Sequence, residues 1–378
     1  MATTKSVFSL LLFTLIAFSF LFVPHDSTDA KPLKVCKFDA IYNMGDSISD
    51  TGNLIRMKTQ NPDMPFFRLP YGQTYFKNAT GRCSNGLLMI DYIAKSAGIQ
   101  FLSPFLDRDA VARGHGVNFA VLDATALPMN VLTANSIPLP LHFSSLSEQL
   151  DWMSTYFNDT FHNQDDRDEK LKKSLFMVGE MGANDYNFLL LLGKTIEHIR
   201  DIVPEVVKTI KDAVTRVIGY GAVRVVVPGN FPIGCLPVYL TKYHTKNSAA
   251  YDDFHSLKGL NNFSIYHNDL LKQAIEDLRK ENPNAVIVYG DYYNAFQWVY
   301  QNAAYLGFDA CSVQKSCCGA GGAYDFTLGK TCGIPSVPVC SNPDERISWD
   351  GIHMTHKANQ YMENWIINDI LPKLNCKV

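Results

Sequence analysis

The sequence predicts an α/β fold, a parallel sheet covered by helices on both faces. Three observations lead there. Short apolar runs of strand length alternate with longer stretches whose apolar residues recur at helical spacing, the signature of β-α-β units. The run "AVRVVVPG" (222–229) is β-branched and apolar at both odd and even positions, as a strand covered on two faces must be. No linker divides the chain, so a single domain is expected over residues 31–378.

The elements follow in order. Lys5 precedes an uncharged stretch from Val7 to Val23, then Pro24 and a polar segment ending at Ala30. That layout predicts a secretory signal peptide over residues 1–30. An uncleaved membrane anchor is the rival, but the stretch is near the lower limit for a span. After cleavage no stable membrane insertion is expected, and the secretory pathway leads to the extracellular space (apoplast) or the vacuole. A first strand is expected at about 38–43. "GRCSNGLLMIDYIAKSAG" (81–98) has helical spacing and stops at Gly98. The polar "NDTFHNQDDRDEK" (158–170) reads as a solvated loop running into the next element.

"KSLFMVGE" (173–180) is of strand length, and "TIEHIRDIVPEVVKTIKDAVTRVIGYG" (195–221) reads as one long amphipathic helix bent at Pro204. After the 222–229 strand come a helix at 263–283, a strand "AVIVYGDYY" (285–293) and a closing helix at 356–374.

Composition narrows the function classes. The chain has 378 residues, 47% hydrophobic and 19% charged, enough for a sizeable core. A net charge of −3 offers no electrostatic grip on nucleic acid or anionic lipid. Of nine cysteines, six fall after residue 310 in a Gly- and Pro-rich region. In an oxidising compartment that is a disulfide-stapled loop. Zinc is the alternative, but Cys317 and Cys318 are adjacent and paired C-x-x-C spacings are absent, so no metal is expected. The odd total leaves at least one thiol unpaired. Sequons at Asn78, Asn158 and Asn262 fit a secreted glycoprotein.

In open parallel sheets the ligand crevice lies beyond the carboxyl ends of the strands. Three polar clusters fall at such ends or in loops on that side: Gly45-Asp46-Ser47, Gly182-Ala183-Asn184-Asp185 and Asp350-Gly351-Ile352-His353. A serine hydroxyl is a poor nucleophile until a base takes its proton, and that base needs a third group to fix its tautomer. His353 and Asp350, three residues apart, offer the base and the orienting carboxylate for Ser47. The Ser47 N–H, at a strand-to-helix turn, and the Asn184 amide offer donors for a developing oxyanion. Each residue also has a plainer role open to it. Ser47 or Asp46 would cap a helix, Asn184-Asp185 would form an Asx turn, and His353 with His356 forms an H-x-x-H pair. The catalytic reading rests on the combination.

Taken together the blocks carry a resemblance. "FDAIYNMGDSISDTGN", "GANDYN" and "WDGIHMTH" resemble the first, third and fifth blocks of the plant GDSL esterase/lipase family, within the SGNH hydrolase superfamily. The likeness also covers "LPYGQTYFKNATGRCSNGLLMIDYIA", "VRVVVPGNFPIGCLP" and the Cys-rich segment. Its nearest branch in pattern is the acetylajmalan esterase type, which removes an acetyl group from an alkaloid. The resemblance implies a flavodoxin-like three-layer α/β/α fold with five parallel strands. It also implies Ser47 as nucleophile, Asp350 and His353 as its partners, Asn184 as oxyanion donor, small-molecule carboxylic esters as substrates, and no cofactor.

One position departs from that pattern. The second block is expected to read like N-F-A-x-x-G-A-T, its glycine N–H being a further oxyanion donor. Here "GVNFAVLDATAL" puts Asp123 at the glycine. Aspartate accepts the backbone angles of glycine less easily, and a carboxylate opposes the charge of a tetrahedral intermediate. Either the Asp123 N–H still serves the oxyanion with its side chain turned away, or the site does other work. That work would be proton transfer in an elimination, isomerisation or cyclisation. Acyl transfer to an alcohol or amine, and simple ligand binding without catalysis, are the remaining alternatives.

Overall fold

The computed structural model describes residues 32–57, 64–111, 115–134, 137 and 144–376. The expected signal peptide, residues 1–30, lies outside the described residues. Six parallel strands form one sheet: β1 (Ala40–Met44), β2 (Ser103–Pro104), β3 (Gly116–Asn118), β4 (Ser174–Val178), β5 (Arg224–Pro228) and β6 (Val286–Gly290). Their spatial order is β2-β3-β1-β4-β5-β6. The expected count of five is corrected to six. The additional edge strand is two residues long and ends in a proline, too short to leave a periodic signal.

The order carries a functional consequence. The chain leaves β1 to build one wing of the sheet, then returns to lay β4 against the other side of β1. The switch point is therefore the carboxyl end of β1, flanked by the ends of β3 and β4, where a crevice opens in sheets of this kind. All five β1 residues are buried, and they pair in register with β4 from Ala40↔Ser174 to Met44↔Val178.

Two groups of helices flank the sheet. One packs α2 (Leu146–Thr160), α6 (Val203–Gly219) and α7 (Lys258–Glu281); the other packs α1 (Met89–Ser96), α8 (Tyr292–Gln301) and α9 (His356–Ile370). Several boundaries differ from expectation for local reasons. The helix expected across 81–98 begins only at Met89. The Asp91 carboxylate there accepts the Leu88 N–H at 2.9 Å and takes a two-pronged contact from the Arg82 guanidinium, both prongs 2.8 Å, which holds 82–88 out of the helix. The long helix expected across 195–221 is two helices, α5 (Ile196–Arg200) and α6. Pro204 lacks an N–H and sits in the first turn of α6, where none is needed.

The loop expected at 158–170 is only the three residues 161–163; the rest is the end of α2 and most of α3 (Gln164–Lys172), the helix into which it runs. Asn163 caps α3 through the Asp166 N–H at 2.8 Å. The strand expected to run to residue 293 stops at Gly290, because Asp291 caps α8 through the Asn294 N–H at 3.1 Å.

The cysteines form three disulfides. Cys36–Cys376 ties the two ends of the described chain, while Cys317–Cys340 and Cys318–Cys332 staple the Gly/Pro-rich segment. Cys83, Cys235 and Cys311 are unpaired. Around the staples a second small core gathers Tyr71, Val337 and Trp349. The sequon residues Asn78, Asn158 and Asn262 are all exposed.

Candidate active site

β1 delivers Ser47 to the switch point through a tightly held loop. Gly45, the first residue beyond the strand, exchanges two bonds with the Gln149 side chain, its N–H donating at 3.0 Å and its carbonyl accepting at 2.8 Å. A Cβ on Gly45 would lie 2.5 Å from Ser49 Oγ, so a larger residue would have to displace that hydroxyl. The chain then makes a turn in which the Ser49 and Asp50 N–H groups donate to the Asp46 carbonyl. No α-helix follows at once, so the expected strand-to-helix turn is a strand-to-loop turn, and Ser47 caps nothing. The buried Asp50 carboxylate accepts N–H groups from Gly52, Asn53, Leu54 and Leu122, binding this loop to the one after β3.

The last cluster closes on the first. His353 Nε2 lies 2.8 Å from Ser47 Oγ, and His353 Nδ1 lies 2.7 Å from Asp350 Oδ2. All three side chains are at least nine-tenths buried. An ionised carboxylate only accepts, so Nδ1 carries the proton and Nε2 is left to accept from the serine hydroxyl. The other Asp350 oxygen accepts the N–H groups of His353 at 2.8 Å and Ile352 at 3.1 Å. Burial opposes the charge on Asp350, but His353 and these N–H donors outweigh it and hold the carboxyl below its usual range. Burial likewise opposes a proton on His353, yet Asp350, Asp46 and Asp123 prevail and raise its pKa.

His356, the other half of the H-x-x-H pair, is engaged elsewhere. Its Nδ1 accepts the Leu87 N–H at 3.0 Å and its Nε2 lies 3.0 Å from Tyr92 Oη, bonds that join α9 to α1.

The expected oxyanion donors divide. Among the described residues, the N–H groups of Ser47 and Asp123 donate to no protein acceptor. Asp123 has a left-handed backbone of the kind glycine favours, with φ of 64°. Burial pushes its carboxyl up to about 6, against the pull of His353. Asn184 lies in the first turn of α4 (Ala183–Leu191) beside the site, but both of its amide hydrogens are taken, by Asp46 Oδ2 and the Ala124 carbonyl, each at 3.0 Å. Asp185 is no Asx turn; its carboxylate accepts the Ala126 and Leu127 N–H groups at 2.8 and 2.9 Å, tying α4 to the Asp123 loop.

Ser47 and Asn184 open on a small cavity of about 40 Å³ whose walls include Ile48, Phe231, Phe296 and Met354. Two contributors escape sequence reasoning. The Tyr71 hydroxyl donates to Asp350 Oδ2 at 2.8 Å across 279 residues of sequence, a separation that leaves no local signal. Glu180 ends an apolar run and reads in the sequence as its last strand residue; it is a buried side chain in the cavity wall. A carboxylate at the carboxyl end of a buried strand is the available clue.

A serine hydroxyl, an imidazole and a carboxylate in hydrogen-bonded series, with two N–H groups that donate to no protein acceptor, are the groups that acyl transfer requires. The family model described as GDSL-like lipase/acylhydrolase matches residues 41–366. Acetylajmalan esterase 2 of Rauvolfia serpentina is 44% identical over 362 residues, covering 96% of this chain and 97% of its own. Acetylajmalan esterase 1 of the same plant is 42% identical, covering 90% and 89%. A GDSL esterase/lipase of Arabidopsis thaliana is 40% identical, covering 100% and 99%. The chain belongs to the GDSL-like lipase/acylhydrolase family.

Proposed function

We propose, on the premise of that membership among carboxylic ester hydrolases, that Ser47, His353 and Asp350 carry out hydrolysis through an acyl-enzyme. The observation that supports this most directly is the 2.8 Å approach of His353 Nε2 to Ser47 Oγ. As Oγ attacks the ester carbonyl, Nε2 takes its proton, and the Asp350 charge stabilises the imidazolium. The N–H groups of Ser47 and Asp123 receive the oxyanion; Asn184 joins them only by releasing Asp46 or Ala124. Collapse of the intermediate returns the proton to the leaving alcohol. Water deprotonated by His353 then frees the acid and restores Ser47.

The protein is read as a secreted glycoprotein whose first 30 residues are removed, a reading supported by its three disulfides and three exposed sequons. The substrate is read as an ester of a specialised metabolite, supported by the likeness to proteins named as esterases of acetylajmalan. The test is turnover of short and long acyl esters of p-nitrophenol together with labelling by a serine-directed phosphonate. Ser47→Ala abolishes both; turnover that persists in this variant overturns the proposal.

Asp123 favours one second reading. A carboxyl that burial pushes up to about 6, near His353, is suited to give and take protons, which would serve elimination, isomerisation or cyclisation in place of hydrolysis. Labelling of Ser47 without ester turnover is the result that selects it.

A further inference from the structure

Between Cys318 and Cys332, closed into a loop by their disulfide, runs "GAGGAYDF" (319–326). This loop is folded tightly on itself. A Cβ on Gly319 would collide with the Asp325 carbonyl oxygen, so the two backbone stretches lie as close as only glycine permits. Thr327 Oγ1 donates to the Ala320 carbonyl at 2.8 Å, and the Ser316 N–H donates to the Tyr324 carbonyl at 3.0 Å. The fold places Phe326, 5% exposed and packed into the main core, on the turn that carries Asp350 and His353. A Cβ on Gly351 would strike that ring, meeting Cε2 at 2.5 Å and Cγ at 3.2 Å. Gly351 itself has φ of 99°, where glycine moves freely and other residues rarely go. Its N–H donates to Ser348 Oγ and its carbonyl accepts the Val238 N–H, both at 3.1 Å. The phenyl ring covers what those two bonds leave open.

We infer that Phe326 is a positioning residue for the imidazole: seated on Gly351, it clamps the turn between Asp350 and His353 and holds His353 Nε2 against Ser47 Oγ. The inference rests on the ester-hydrolase reading and adds a working part to that site. Asp350 and His353 are joined through Gly351 and Ile352, so a rotation at the glycine swings one side chain away from the other. Displacing a reacting group by about 1 Å costs on the order of 10²-fold in rate. Phe326 lines no part of the cavity beside Ser47, whereas Ile352 and Met354 do, so its action is on the turn and not on the substrate. The glycine-rich sequence inside the staple is thereby explained: it bends the loop sharply enough to deliver one ring to one glycine.

The experiment compares Phe326→Ala and the milder Phe326→Leu with the wild type, each assayed well below its own melting temperature. With p-nitrophenyl acetate, kcat is expected to fall at least about tenfold in Phe326→Ala and less in Phe326→Leu, KM being unchanged in both. Gly351→Ala tests the contact itself. In the wild type its Cβ drives into the ring; in Phe326→Ala it meets the vacated space, so the loss it causes is expected to be at least about threefold smaller. NMR of the proton between His353 Nδ1 and Asp350, which resonates far downfield, follows the clamp without turnover. That resonance is expected to move upfield in both Phe326 variants as the bond lengthens. A folded Phe326→Leu with wild-type kcat and an unmoved proton overturns the inference. So do losses from Phe326→Ala and Gly351→Ala that simply multiply. A shifted proton in the variants, with no ester turnover by the wild type, upholds the clamp and overturns the hydrolase reading instead.

Discussion

Tyr71 and His353 converge on one oxygen: Asp350 Oδ2 accepts the Tyr71 hydroxyl at 2.8 Å and faces His353 Nδ1 at 2.7 Å. The carboxylate is thereby fixed from two directions, and Tyr71 is a positioning residue for the imidazole. Tyr71→Phe keeps the packing against Trp349 and removes one hydrogen bond to a charged group. A drop in kcat on the order of tenfold is expected. Without the shared hydrogen bond, the carboxylate charge acts more fully on His353 and raises its pKa further. The acid limb of the kcat/KM profile should therefore move to higher pH, a shift that a merely structural role would not produce.

Asp123→Gly tests the unusual second block. The left-handed backbone at this position costs glycine nothing, so the N–H stays in place while a carboxylate leaves the site. Esterase kcat is expected to rise, and the acid limb to move down, because one of the charges that raise the His353 pKa is gone. The variant is also expected to be more stable at neutral pH. The Asp123 carboxyl is raised from 3.8 to about 6, so its contribution to stability is present below 3.8 and lost as pH rises through 6. Lower esterase activity in Asp123→Gly would show that the carboxylate takes part in the reaction. Activity assays and thermal melts at pH 7 decide both points.

The stapled segment reaches the site through the backbone. The Cys317 and Cys318 N–H groups donate to the carbonyls of Ser348 and Trp349, at 3.0 and 2.6 Å, immediately before Asp350. Cys318–Cys332 closes a loop with a sequence separation of 14 residues. Removing it by Cys318→Ala with Cys332→Ala is expected to cost about 3 kcal/mol of stability. Because Asp350 is carried on the strap these N–H groups hold, kcat is expected to fall at temperatures well below the melt. A thermal melt and an activity assay on the same sample would separate the two effects.

Legibility in the sequence depends on the range of the interaction. β1, β4, β5 and β6 are runs of five mostly apolar residues and declare themselves; β2 and β3, at two and three residues, do not. Ser47, Asp350 and His353 stand in compact polar clusters beside recognisable elements, and parallel topology gathers such clusters at one end of a sheet. Tyr71 acts on a residue 279 positions away and sits in an irregular segment, so neither spacing nor periodicity marks it. Asn184 is legible as a neighbour of the site, but that its hydrogens are bound to Asp46 and Ala124 follows only from how two loops meet. The three unpaired thiols exceed the minimum that an odd cysteine count demands.

Stability and activity should respond oppositely to acid. Burial raises the carboxyls of Asp46 and Asp185 from 3.8 to about 7, of Asp123 to about 6, and of Glu363 from 4.5 to about 8. Each of these groups binds a proton in the folded chain at pH values where the unfolded chain has released it. Their contribution to stability is thus fully present near pH 4 and is lost as pH rises through 6 to 8. His267 works the other way: burial lowers its pKa from 6.5 to about 3, so its contribution is lost as pH falls below 6.5. His356 acts in the same sense, burial lowering its pKa, and four carboxyls against two imidazoles leave the fold more stable near pH 5 than near pH 8. Catalysis demands the reverse, since His353 must be neutral to accept the Ser47 proton and its pKa is raised above 6.5. Melting temperature is therefore expected to fall, and kcat/KM to rise, between pH 5 and 8. Parallel profiles that rise or fall together would mean that these carboxyls are ionised within the fold.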